Sequence, residues 1–114
     1  MTVLEVRRWR RGPCVVVHAA GELDMSVAPR LDTEIGRALG MIEHPCLVLD
    51  LTEISFCDSV GLGVLVGALT RARDAQGRLI LVVRPGMVAR LLTMTNLDRY
   101  IETRGSLREA LSVA

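Results

Sequence analysis

The sequence has no lysine. All fourteen basic residues are arginine, so Schiff-base chemistry and a P-loop lysine are excluded. Aromatics are nearly absent: Trp9, Phe56 and Tyr100 are the whole set, which argues against a base-stacking nucleic-acid platform. Excess charge is missing too. Fourteen basic residues meet thirteen acidic ones, a net charge of +1, whereas polyanion binding draws on many surplus cations. Cysteine is scarce and odd in number. Cys14, Cys46 and Cys57 contain no Cys-x-x-Cys pair, so neither a disulfide framework nor a zinc ribbon is expected. Three free thiols suggest a reducing, cytoplasmic setting. No apolar run approaches the roughly 20 residues of a membrane span; the uncharged stretch 59–70 is too short. The first residues reach arginines before any apolar block, so no signal peptide is read there.

What is present is globular. Half of the 114 residues are apolar and 24% are charged, which predicts one domain, 1–114, with a single core. Residues 2–9 alternate weakly and predict an edge strand. The arginines at 7, 8, 10 and 11 read as a solvated strand end before Gly12-Pro13. Cys14 to Ala19 is β-branched and predicts a strand, ended by Gly21-Glu22-Leu23-Asp24. Ser26 is the expected N-cap of a helix whose apolar face is Val27, Leu31, Ile35, Leu39 and Ile42. Cys46 to Leu51 predicts a central strand, 52–58 a connector, and Ser59 to about Ala75 a helix closed by Gly77. Leu79 to Val83 predicts another buried strand. Residues 87–95 predict a short helix stopped at Asn96, residues 100–102 a brief strand, and Ser106-x-x-Glu109 a capping box for the last helix. The order β-β-α-β-α-β-α-β-α predicts an α/β fold: a mixed, mostly parallel five-stranded sheet with about four helices.

One segment is poor helix design. Gly61, Gly63 and Gly67 fall in one helix, and each costs about 1 kcal/mol relative to alanine. Close packing on the sheet would offset this; it suffices for the deeper Gly67. Close approach of another molecule to the helix start would also offset it, and Gly61 and Gly63 lie there beside Asp58-Ser59. A helix N-terminus offers unpaired N–H groups and partial positive charge, which suits a phosphate. Ser59 therefore has two readings. It is an ordinary N-cap, or it is a phosphoacceptor with an outward hydroxyl.

Other chemistries fit worse. Gly61-x-Gly63-x-x-x-Gly67 superficially matches a dinucleotide motif, but nine residues separate Leu51 from Gly61 and no room remains for a catalytic half. A serine hydrolase would place glycine two before Ser59, where Cys57 stands. His18 reads as a strand residue and His44 as a pre-proline loop residue. Cys57 reads as a small buried residue, with redox sensing as the sharper alternative.

Phe56-Cys57-Asp58-Ser59-Val60-Gly61-Leu62-Gly63-Val64-Leu65 resembles the signature of STAS-domain anti-sigma factor antagonists: aromatic, hydrophobic, Asp, Ser, Ser or Thr, Gly, Leu, Gly. Gly21-Glu22-Leu23-Asp24 with the following Ala28-Pro29 resembles the family's second motif. The departure is Val60, where many relatives carry a second Ser or Thr. The resemblance implies a STAS-like fold and a switch protein, not an enzyme, with no cofactor and no metal. It implies that the unmodified chain binds an anti-sigma factor that is also a serine kinase of the histidine-kinase-like ATPase fold, freeing a sigma factor. Phosphorylation then separates the pair, and a PP2C-type phosphatase resets it. Carried over, Ser59 is the acceptor. Asp24, Asp58, Val60, Gly61, Leu62 and Gly63 share the partner surface, the glycines letting the partner's backbone come close. No nucleic-acid or membrane insertion is implied, and a homodimer is left open. The alternative within the same domain type is an interaction subunit of an ABC-type lipid transporter, or a stress-signalling scaffold, without a phosphate cycle.

Overall fold

Strict alternation along two central strands sets the architecture. Val15, Val17, Leu47 and Leu49 turn to one side of the sheet; Cys14, Val16, Cys46 and Val48 turn to the other. All are buried, as a sheet covered on both faces requires. The computed structural model describes residues 3–114. In chain order the elements are β1 (Leu4–Arg11), β2 (Cys14–Leu23), α1 (Ala28–Leu39), β3 (Cys46–Cys57), α2 (Ser59–Asp74), β4 (Arg78–Val82), α3 (Met87–Met94), β5 (Glu102–Arg104) and α4 (Leu107–Val113). The strand order is β1-β2-β3-β4-β5, antiparallel between β1 and β2 and parallel elsewhere. Parallel strands in sequential order need crossovers of one hand, so the crossover helices gather on one face. The side chains of α1, α2 and α3 join one core cluster, and α4 covers the opposite face with Leu107 and Leu111. The α/β class and the antiparallel start match the expectation from sequence.

Several boundaries differ. β3 does not stop at Leu51: the expected connector 52–58 is strand as far as Cys57, paired with Ala20–Leu23 across two register shifts. The long gap that argued against a dinucleotide site is therefore not there. The glycines themselves argue against it, because Gly61, Gly63 and Gly67 lie within α2 and not in the strand-to-helix turn. The first helix starts at Ala28, and Ser26 is not its cap. The Asp24 carboxylate takes the Ser26 amide at 2.9 Å and the Ser26 hydroxyl at 2.6 Å, forming a tight turn ahead of the helix. β5 covers residues 102–104, because buried Ile101 anchors the segment and exposed Tyr100 lies outside the strand. Ser106 caps α4 through the Glu109 amide, while the Glu109 carboxylate reaches Gly105 instead of closing the box on Ser106. Part of the first predicted strand, Thr2, lies outside the described residues.

The cysteine reading is overturned. Cys14 and Cys46 are joined as a disulfide, and only buried Cys57 is free. Each opens its strand, and the parallel register sets them side by side with Cα atoms 4.3 Å apart. Sequence spacing of 32 residues gave no sign of this. The inference of a reducing compartment from three free thiols loses its ground.

Candidate functional site

The C-terminal ends of β2 and β3 converge on the start of α2, the end of a parallel sheet where α/β proteins commonly place their sites. Asp58 organises this corner. Its backbone is extended, and its Oδ1 accepts the Gly61 amide at 2.8 Å, so Asp58 is the N-cap of α2. Its Oδ2 accepts the Met25 amide at 3.0 Å, and its own amide donates to the Leu23 carbonyl at 3.2 Å. One side chain thus lashes the β2–α1 turn to the helix start.

That assignment removes the capping reading of Ser59. Ser59 is the first residue of α2, exposed, and its hydroxyl makes no hydrogen bond among the described residues. It sits at the positive end of a 16-residue helix, where a negative group is favoured. Asp24 and Asp58 are both near, but both carboxylates already hold backbone amides.

The glycines separate in the same way. A Cβ on Gly61 would stand 2.5 Å from the Leu23 carbonyl oxygen and 2.8 Å from Leu23 Cγ. Gly61 is buried and is explained by contact within the domain. Gly63 and Gly67 would meet nothing within 4 Å. Packing therefore does not account for Gly67, contrary to the expectation from its depth in the helix. Leu62 is half-buried against the core, while Val60 is exposed.

Sequence reasoning placed Val60 on the partner surface and Phe56 in the motif, but left out Met25 and Met87. Met25, Phe56, Val60 and Met87 are all exposed large apolar residues. Phe56 and Val60 flank the Cys57-Asp58-Ser59 run. Met25 is tied to Asp58 through its amide, and the Met87 sulfur takes the Cys57 amide at 3.4 Å. Met87 comes from α3, 28 positions further along than Ser59, and only the fold reveals it. Clusters of exposed apolar groups mark interaction surfaces. Cys57 itself is unsuited to redox sensing: burial and then the Asp58 charge push its thiol up to about 11, so the reactive thiolate is scarce at neutral pH. No group of three or more His, Cys, Asp or Glu side chains able to hold a metal occurs among the described residues. No helix among them is long and apolar enough to cross a membrane.

Comparison with known proteins gives the family. The model of the STAS domain matches residues 7–110. An anti-sigma-B factor antagonist from Listeria monocytogenes is 36% identical over 88 residues, 77% of this chain and 76% of its own length. The crystal structure of an anti-sigma factor antagonist from Mycobacterium paratuberculosis superposes with a TM-score of 0.88 at 28% identity, covering 97% of this chain and 93% of that one. The fold is shared with SpoIIAA in its unphosphorylated form, TM-score 0.75 over 96% of this chain and 93% of that one, and with the phosphorylated form of the Bacillus protein, TM-score 0.71 over 96% and 97%, both at 22% identity. The chain belongs to the STAS-domain family, alongside relatives that are anti-sigma factor antagonists.

Proposed function

We propose that this protein is an anti-sigma factor antagonist switched by phosphorylation of Ser59. In the unmodified state it docks on an anti-sigma factor that is also a serine kinase of the histidine-kinase-like ATPase fold, and a sigma factor is released. Phosphorylation of Ser59 ends the complex, and a PP2C-type phosphatase restores it. The domain acts by binding, in the cytoplasm, and catalyses nothing itself. The observation that carries this reading is the division of labour at the start of α2: Asp58 caps the helix, so the Ser59 hydroxyl stands exposed and unengaged. The apolar rim of Met25, Phe56, Val60 and Met87 supports docking around it, and open Gly63 supports close approach by a partner's backbone.

The switch follows from charge. A phosphoryl group adds about −1.5 to −2. On the free domain the helix dipole accommodates it, so the fold is expected to stay unchanged. In the complex that charge must be desolvated beside Asp24 and Asp58. A hundredfold loss of affinity requires only about 2.7 kcal/mol, within reach of one misplaced phosphate.

The test is capture from the native cell with wild type, Ser59→Ala and Ser59→Asp, followed by incubation of the captured partner with ATP. Wild type and Ser59→Ala are expected to retain one ATPase-fold partner and Ser59→Asp to lose it. Only the wild type should then gain phosphate. Equal capture by all three proteins, with no phosphate incorporated, would overturn the switch.

A further inference from the structure

At the end of the sheet remote from Ser59, a cavity of about 520 Å³ opens between the β1–β2 hairpin and α4. Its size is that of small-molecule sites, which run to roughly 300–1,000 Å³. Its lining is divided. Leu107 and Leu111 of α4 and Cys14 make an apolar wall, while Arg11 and Arg108 bring two cations. Arg11 is the last residue of β1, directly opposite Cys14, held by a turn in which Gly12 has φ +60°. It lies two residues beyond Trp9, so both project to the α4 side of the sheet, where Trp9 packs on the same cluster as Leu107 and Leu111.

Five of the fourteen arginines, Arg8, Arg37, Arg71, Arg78 and Arg104, pair with a carboxylate among the described residues. Arg11 and Arg108 make no ion pair or side-chain hydrogen bond among the described residues. Two unneutralised guanidiniums over an apolar wall are matched by a molecule that is apolar along its body and anionic at one end. A carboxylate takes guanidinium N–H donors in pairs, and an acyl chain gains by leaving water for the leucine wall.

We propose that this cavity is a binding site for a soluble amphiphilic anion, a single acyl chain ending in a carboxylate. The chain lies along Leu107 and Leu111, and the headgroup sits between Arg11 and Arg108. The site shares no residue with the Ser59 surface and stands apart from the phosphorylation reading.

Trp9 is the chain's one tryptophan and adjoins the same cluster, so it reports occupancy. Decanoate, kept below its micelle concentration, is titrated into the full chain while Trp9 fluorescence and binding heat are followed. Saturable one-to-one binding is expected. The Arg11→Ala/Arg108→Ala double variant should weaken it by about tenfold or more, equivalent to about 1.4 kcal/mol. Leu111→Phe, which fills the cavity from its apolar side, should weaken it as well, and Ser59→Ala should leave it unchanged. Decanol, which lacks the charge, and acetate, which lacks the chain, should bind about tenfold more weakly or worse. Non-saturable binding, equal binding of decanol, or full affinity in the double variant would overturn the site. So would capture of the chain by phosphatidylglycerol vesicles without decanoate binding, which would assign the arginines to a lipid surface.

Discussion

The Asp58 carboxylate holds the Gly61 amide at 2.8 Å, and this bond takes the capping task away from Ser59. The two neighbours therefore differ in what they do for the fold. Asp58→Ala removes the cap and the tie to the Met25 amide and is expected to cost about 1–2 kcal/mol of stability. Ser59→Ala removes an exposed hydroxyl with no partner among the described residues and should stay within about 0.5 kcal/mol of wild type. Urea unfolding of the two variants checks the contrast. Equal destabilisation would mean that serine shares the cap.

The α2 glycines allow a second contrast. Gly61→Ala drives a methyl into Leu23 and should destabilise by about 1–3 kcal/mol, as overpacking does. Gly63→Ala and Gly67→Ala meet open space at ordinary helical positions, so each should stabilise the free domain by up to about 1 kcal/mol. Thermal unfolding gives the order. If Gly63 serves a partner's close approach, Gly63→Ala will bind that partner more weakly while melting higher. A fold gain with no loss of binding would remove Gly63 from the docking surface.

What the sequence made legible follows physical rules of short range. Leu31 and Ile35 announce α1 because helical spacing puts them on one face, and 46–51 announces a central strand because every position there is buried. The second half of β3 was hidden. Thr52, Glu53 and Ser55 break the apolar run, and their strand state depends on pairing with Ala20–Leu23 past two register shifts. The cap was ambiguous because Asp58 and Ser59 are adjacent and both are good capping residues; only backbone conformation separates them. Ser59, Asp58 and the glycines could be picked out as a site from their pattern. Met25 and Met87 could not be added, because the β2–α1 turn and the start of α3 meet the start of α2 only in the folded domain.

The Cys14–Cys46 bond closes a loop with a sequence separation of 32 residues. Chain-entropy reasoning gives such a cross-link about 3–4 kcal/mol, chiefly by restricting the unfolded chain. Reduction by a phosphine, or the Cys14→Ser variant, is expected to lower the unfolding midpoint without changing the native circular dichroism. Because the bond lies at the far end of β3 from Ser59, phosphorylation of Ser59 should proceed equally in both redox forms. A midpoint indifferent to reductant would show that the bond does not form in solution.

His18 predicts how stability responds to pH. Its Nδ1 lies 3.0 Å from Asp50 Oδ2 and its Nε2 lies 3.0 Å from Glu53 Oε2. Asp50 is buried and also accepts the Thr52 amide and hydroxyl. Ionised carboxylates only accept, so satisfying both contacts requires both ring nitrogens to donate, which is the imidazolium. Burial alone would push the ring below its ordinary value of 6.5, but the bonds to Asp50 and Glu53 and their charges outweigh it and raise it. A raised folded-state value means that the contribution is complete below pH 6.5 and fades as pH climbs through the folded value. Urea midpoints are therefore expected to fall as pH rises above about 6.5, and His18→Gln should flatten that slope. The imidazole proton resonances give the folded value directly. A value at or below that of an unfolded peptide would mean that desolvation wins, and the slope would then reverse.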